Sequence, residues 1–314
     1  MTKTNNYTST GTKLFNHVDR VLDMKVDMVS PIVAHIMPTS VCNLNCPYCS
    51  IKSRPREELD IEVIETALKE LKKCGLLAVI ISGGGEPTLY KDFDKLINII
   101  KEMGLEIGLI TNGTLLKNHD MSKFEWVRIS INPETIDNLD LPEIPGTLGF
   151  SYIVSNETKQ TLTENFAKIQ KLVDKYNPEY VRILSDCALS NEEIIENQKL
   201  IDASIKKRIN KKFFQQHKLP EPPKSCYLGY LHPVLYCDGY VYPCDSIVLN
   251  DHEDQRFKEK YRICDIKDLD PLLEPRRVKS LVCPKKDCPN CVFAKQNNII
   301  DSLLNPTEVH KNFI

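Results

Sequence analysis

Between residue 33 and about residue 215 the chain alternates short apolar runs with amphipathic helical segments, the pattern of βα units laid around a parallel sheet. The runs "VAHIMPT", "LAVIIS", "EIGLITN", "WVRISIN", "LGFSYIV" and "YVRILS" are six candidate strands. Between them Ile61, Ile64, Leu68 and Leu71 share one helical face ahead of Gly75. Phe93, Leu96, Ile97 and Ile100 do the same ahead of Gly104, and Leu162, Phe166, Ile169 and Val173 form a third such stripe. Six strands are too few to close an eight-stranded barrel. The expected fold class is therefore α/β, a partial (β/α)6 TIM-like barrel whose strand-end loops form the active face, followed by a small Cys-rich α+β domain.

The boundaries follow from where this periodicity starts and stops. Residues 1–32 precede the first strand and hold Leu14, Phe15, Val18, Val21 and Leu22, which predict a short amphipathic helix over one end of the core. Residues 33–215 carry the βα units. The proline-rich "LPEPPKS", Leu219 to Ser225, reads as a linker, so residues 216–314 form a separate module. That module contains a hairpin signal, "LYCDGYVYP", in which Asp238-Gly239 separates two runs rich in Tyr and Val.

Formal charge is −2, so no overall basic field points to nucleic acid; the local run "KKRINKK" reads as the solvated face of a helix. The longest apolar run, "LLAVII", is far too short to span a bilayer, and the polar first residues lack the apolar core of a signal peptide. The expected location is cytoplasmic, with no membrane partner. Twelve cysteines in such a chain point to metal ligation rather than disulfides. Three lie at 42 to 49 and seven between 226 and 291, while Cys74 falls on the apolar face of a predicted helix with Ile64, Leu68 and Leu71, where it is expected to be a core packing residue.

"CNLNCPYC" places Cys42, Cys46 and Cys49 directly after the first strand. A structural zinc fills four positions with protein ligands, whereas three clustered thiolates suit a [4Fe-4S] cube with one iron left open to a small molecule. After the second strand comes "SGGGEP", whose glycines allow close backbone approach and positive φ, with Glu86 as an anionic acceptor beside them. Together these motifs resemble the radical S-adenosylmethionine superfamily, over residues 33 to about 190. The resemblance implies that Cys42, Cys46 and Cys49 ligate a [4Fe-4S] cluster whose fourth iron is chelated by S-adenosylmethionine. It implies that Tyr48 lies against the adenine and that Gly84, Gly85 and Glu86 bind the methionine amino group. Ser130 and Asn112, at the ends of the fourth and third strands, match softer cofactor positions. Many relatives continue the fourth strand as Ser-Leu-Asp-Gly; this chain has "SINP".

The segment "CYLGYLHPVLYCDGYVYPC" resembles the opening of the SPASM and Twitch domains, which hold auxiliary [4Fe-4S] clusters. By that resemblance Cys226 and Cys244, with Cys288 and Cys291 of "CPKKDCPNC", ligate one auxiliary cluster, possible ligands of a second being Cys237, Cys264 and Cys283. A zinc ribbon made by the same thiolates is the structural alternative.

The resemblance implies reductive cleavage of S-adenosylmethionine, hydrogen abstraction from a substrate, and a flavodoxin- or ferredoxin-type reductant. An oxidation or cross-link needs a base near the auxiliary cluster, and Asp245, next to Cys244, is the candidate. Cys187, in "LSDCALS" beyond the sixth strand, is the candidate for returning a hydrogen atom in an epimerisation. A ribosomally made peptide is the first substrate class, a sugar, aminocyclitol or amino acid the second. An electron-transfer protein and a metal-stabilised binding module are the non-catalytic readings; neither accounts for the glycine loop on a parallel sheet.

Overall fold

In the computed structural model, residues 1–6, 8–9, 52–53, 187–188, 207–209, 218–221, 250–255, 289–290 and 307–314 are not described; the structure describes the remainder. The described strands, in chain order, are β1 (Val33–Met37), β2 (Ala78–Ile81), β3 (Glu106–Thr111), β4 (Trp126–Ile131) and β5 (Thr147–Val154), then β6 (Tyr180–Ser185), β7 (Phe213–Gln215), β8 (Val234–Tyr236), β9 (Tyr240–Tyr242) and β10 (Cys264–Asp265). The chain divides into two compact units, one of residues 1–36, 59–78 and 219–314, the other of residues 37–58 and 79–218.

The second unit is built on strands in the order β2-β3-β4-β5-β6-β7. The pairings from β3 to β7 are parallel, with Ser130 beside Ser151 and Ser151 beside Arg182. Alternation gives this sheet two chemically different faces. Val127, Ile129, Phe150, Tyr152, Val181 and Ile183 are buried on one. The helix Leu162–Tyr176 lies against it, with Phe166 edge-on to Tyr152 at 6.4 Å and Asn165 Nδ2 donating to the Tyr152 hydroxyl at 2.8 Å. The opposite face carries Arg128, Ser130, Ser151 and Arg182. Arg128 lies between Trp126 and Tyr180, 5.3 and 5.8 Å from their ring centres, and donates from Nε to the Tyr180 hydroxyl at 3.0 Å. Arg182 donates to Ser151 Oγ at 2.9 Å and to Gln216 Oε1 at 2.9 Å. One face thus packs against a helix and the other is polar.

β7 extends the six expected strands to seven in the periodic region. Its three residues follow Lys211 and Lys212 and are too short for alternation to be read. The helical stripes occur as expected: Phe93, Leu96, Ile97 and Ile100 are buried, as are Leu162, Phe166, Ile169 and Val173.

In the first unit β8 and β9 form the expected antiparallel hairpin, with Val234 opposite Tyr242. Gly239 takes φ +88°, the left-handed conformation the turn requires, and its N–H donates to Tyr236 O at 3.0 Å. β10 joins β9, and β1 lies beside β8, where His35 N donates to Pro233 O at 2.9 Å. Ile61, Ile64, Leu68 and Leu71 are buried along the helix Ile61–Lys73. Cys74, expected on that apolar face, instead caps the end of the helix and is only half-buried. The N-terminal segment is a 3-10 turn, Gly11–His17, running into a helix, Val18–Asp23, and packs against the helix Ala294–Leu304. Leu14 and Val21 are buried there, but Phe15 and Leu22 are 60% and 41% exposed; Phe15 lies in the 3-10 turn, which breaks the stripe that a continuous α-helix would form. Among the described residues no helix is long and apolar enough to cross a membrane.

Candidate functional site

The cysteine loop belongs to the second unit. Thr39 and Glu58 form an isolated antiparallel bridge at its base, tightened by Ser40 N to Glu57 O at 2.9 Å and Glu57 N to Ser40 Oγ at 2.8 Å. Inside, Cys49 N donates to Cys46 O at 3.0 Å, so the last two cysteines share one turn. Three side chains fix the loop from outside its own cysteines. Asn43 donates to Thr114 Oγ1 at 2.8 Å and accepts from Asn112 Nδ2 at 2.8 Å. Asn132 Oδ1 accepts from the Tyr48 hydroxyl and, at 3.2 Å, from Cys46 Sγ. Arg54 donates to Leu44 O at 2.7 Å and to Cys49 Sγ at 3.2 Å. Burial, with help from the Glu134 carboxylate, pushes the Cys46 thiol up to about 11.

The glycine loop docks on the root of this segment. Gly85 N donates to Thr39 O at 3.1 Å and Glu86 N to Val41 O at 2.7 Å. A Cβ at Gly85 would fall 2.0 Å from Val41 O. Close approach is therefore what this glycine provides; positive φ, the other expectation for Gly83 to Gly85, occurs at none of them. Gly85→Ala is expected to push the two loops apart at a cost of about 1–3 kcal/mol, seen as a lower urea midpoint together with weaker iron retention.

Glu86 is buried, and its side chain ties three segments together. Oε1 accepts from Thr88 N at 3.2 Å, Thr88 Oγ1 at 2.7 Å and Thr111 Oγ1 at 2.5 Å, while Oε2 accepts from Asn112 N at 2.7 Å. Burial raises its pKa, and these four donors act against that rise. Oε2 retains an acceptor position, the place where an ammonium group could be received. Asn112 Oδ1 is occupied by Thr114 N and Oγ1 at 3.0 and 2.7 Å. Ser130 lies half-buried on the polar sheet face, its carbonyl accepting from Asn132 Nδ2 at 2.9 Å. Cys42, Cys46, Cys49, Tyr48, Gly84, Gly85, Glu86, Asn112 and Ser130 thus all fall on the loops and strand ends of one unit. Asn43, Arg54, Thr88, Thr111, Thr114 and Asn132 were not found by sequence reasoning. Asn132 had a signal, since it stands third in "SINP", where many relatives have aspartate.

In the first unit Cys226, Cys244, Cys288 and Cys291 line one cavity with Leu228, Pro243, Val282 and Phe293. Cys226 N donates to Ser280 Oγ at 2.9 Å, and Asn297 Oδ1 caps the following Tyr227 and Leu228 N–H groups at 2.7 and 3.0 Å. Burial raises all four thiols, Cys288 to about 12, and mutual thiolate repulsion adds at Cys226, Cys244 and Cys288. Four soft donors in an apolar pocket fit iron–sulfur ligation, in which metal replaces the protons. No three His, Cys, Asp or Glu side chains among the described residues converge as ligands of a single ion do. In a cube each thiolate binds a different iron, so cluster ligands need no such convergence. Cys237 is buried in the hairpin turn, Cys264 is buried in β10, and Cys283 is exposed at the start of the short helix Pro284–Asp287. Asp245 opens the short helix after Cys244, and its charge acts on Cys291 and on His232. His232 stacks on His35 at 5.8 Å, and burial lowers both to about 4. Cys187 lies outside the described residues.

Two cysteine sites, one open loop beside a glycine loop on a parallel sheet and one cavity with four thiols, define a protein built for iron–sulfur chemistry. Residues 36–183, just under half of the chain, match the family model of the Radical SAM superfamily. The superfamily's cofactors are a [4Fe-4S] cluster and S-adenosylmethionine. The chain is similar to the S-adenosylmethionine-dependent nucleotide dehydratase of Selenomonas ruminantium, 33% identical over 107 residues, covering 31% of this chain and 39% of that protein. It is similar to the PqqA peptide cyclase of Bradyrhizobium diazoefficiens, 36% identical over 96 residues, covering 30% of this chain and 25% of the other. The match thus spans well under half the length of these relatives. In fold it resembles Streptococcus suis SuiB bound to precursor peptide SuiA, with a TM-score of 0.55 and 17% identity over 94% of this chain and 78% of that one.

Proposed function

We propose that the protein is a radical S-adenosylmethionine enzyme that oxidises or cross-links a ribosomally made peptide with the help of an auxiliary [4Fe-4S] cluster. The observation that carries this is the pairing of the three-cysteine loop with a separate four-cysteine cavity. Cys42, Cys46 and Cys49 hold the first cluster; Cys226, Cys244, Cys288 and Cys291 hold the second. Together the first cluster and S-adenosylmethionine supply a 5'-deoxyadenosyl radical that removes a hydrogen atom from a C–H bond.

The protein's own residues position and neutralise. Tyr48, fixed through its hydroxyl by Asn132, presents its ring to the adenine. The Oε2 atom of Glu86 and the backbone of Gly84 and Gly85 receive the methionine amino group. Ser130 and Asn112 flank the cofactor from the strand ends. Asp245 takes the proton that the substrate loses with its second electron. The division at 1–32, 33–215 and 216–314 belongs to the same proposal, supported by the end of the periodic elements ahead of the proline-rich segment. A flavodoxin- or ferredoxin-type donor and a cytoplasmic location complete it.

The peptide branch is supported by the names of two similar proteins, the peptide cyclase and the peptide-bound SuiB. The match to a nucleotide dehydratase supports a second reading, dehydrogenation of a small molecule or its epimerisation, and in the epimerisation Cys187 returns the hydrogen. Anaerobic incubation with S-adenosylmethionine, dithionite and any short peptide encoded beside the gene distinguishes them. The peptide reading expects 5'-deoxyadenosine and a product lighter by two hydrogens. Unchanged peptide, with turnover on a sugar, nucleotide or amino acid, overturns it.

A further inference from the structure

The guanidinium of Arg54 has an arrangement that the cluster reading does not by itself require. Nη1 is pinned on the Leu44 carbonyl at 2.7 Å, and the planar fork then aims Nη2 at Cys49 Sγ, 3.2 Å away. Nε is enclosed and has no hydrogen-bond partner among the described residues. An enclosed N–H without an acceptor costs free energy. The sulfides of a bound cluster are acceptors of the right kind for it. We propose that Arg54 is a positioning residue acting through Cys49, which makes the cluster of this loop easier to reduce. The inference rests on the reading of Cys42, Cys46 and Cys49 as cluster ligands.

In the step concerned, one electron passes from a flavodoxin- or ferredoxin-type donor to the cluster, and the donor is oxidised by one electron. No bond is broken and no proton moves. The cluster and its thiolates become more negative by one unit. A fixed cation touching a ligand sulfur stabilises the more negative form by more, and hydrogen bonds to sulfur act in the same direction. Arginine suits this role because it remains charged and binds two acceptors at fixed angles, whereas lysine would deliver the charge without the fork.

The test is a redox titration of the anaerobically reconstituted full chain and of Arg54→Gln and Arg54→Lys, with iron measured in each. The readout is the electron paramagnetic resonance signal of the reduced cluster that S-adenosylmethionine perturbs. Arg54→Gln at full iron content is expected to lower the equilibrium constant for reduction about tenfold, a midpoint shift of about 59 mV to more negative potential for one electron. Arg54→Lys is expected to fall between it and the unaltered protein. An unchanged midpoint in Arg54→Gln at full iron overturns the proposal. So does iron loss in both variants, which would make Arg54 a loop clamp alone. Failure of the underlying reading gives a different result, a S-adenosylmethionine-sensitive signal that survives Cys49→Ala.

Discussion

Alanine at Cys42, Cys46 or Cys49 is expected to end 5'-deoxyadenosine formation by the anaerobically reconstituted, reduced protein, a loss well beyond the about 10- to 100-fold that removing an outer-shell partner costs. The reason is geometric. The loop offers three cysteines, and on the proposed ligand set the open iron that receives S-adenosylmethionine exists only while all three hold the cube. The loop's shape does not rest on the thiols, since Asn43, Asn132, Arg54 and the Thr39–Glu58 bridge fix it through other atoms. Thermal unfolding of the metal-free variants should therefore match that of the metal-free parent, while chromatography of the nucleoside product shows none. A variant that retains the parent's rate would remove this loop from the chemistry.

The triple variant lacking Cys42, Cys46 and Cys49 is expected to bind about four irons, as one cube requires, and to cleave no S-adenosylmethionine. Cys244→Ala in that background should remove the remaining iron. Cys74→Ala should not, because Cys74 caps a helix outside the four-thiol cavity. Loss of the second cluster should also make the first unit more sensitive to protease, since metal binding at such sites contributes folding free energy. Iron near eight in the triple variant would recruit Cys237, Cys264 and Cys283 as ligands of a further cluster. A triple variant that binds no iron and still resists protease would show that the cavity folds on its own apolar lining, and the auxiliary-cluster reading would fall.

What the sequence discloses here depends on the range of the interaction involved. The βα alternation, the apolar helix stripes and the Asp238-Gly239 hairpin are local patterns set by backbone geometry, and they were read with nearly their final boundaries. β7 escaped because three residues between lysines and a polar turn carry no period. Phe15 departs from the expected buried stripe because a 3-10 turn and an α-helix look alike in sequence at that length. The cysteines and glycines of the candidate site were legible as motifs, but the side chains that hold them in place were not. Asn43 meets Thr114 across 71 positions and Tyr48 meets Asn132 across 84, distances at which spacing in a single chain holds no information. The same limit hides the internal duty of Glu86, whose carboxylate accepts from Thr88, Thr111 and Asn112, partners that the motif alone does not disclose.

The placement of β1 beside β8 has a consequence for synthesis. His35 finds Pro233, and Ile32 finds Leu231, only after some two hundred further residues have been made. At about 5–20 residues per second that interval is on the order of 10–40 s. During it the edge of β1 is an unpaired template, open to chaperones or to neighbouring chains. Cys226 and Cys244 emerge close to the end of that interval, but Cys288 and Cys291 follow more than fifty residues later, so strand closure precedes completion of the four-thiol cavity, and a ribosome stalled ahead of residue 234 would present an open edge and an incomplete cavity.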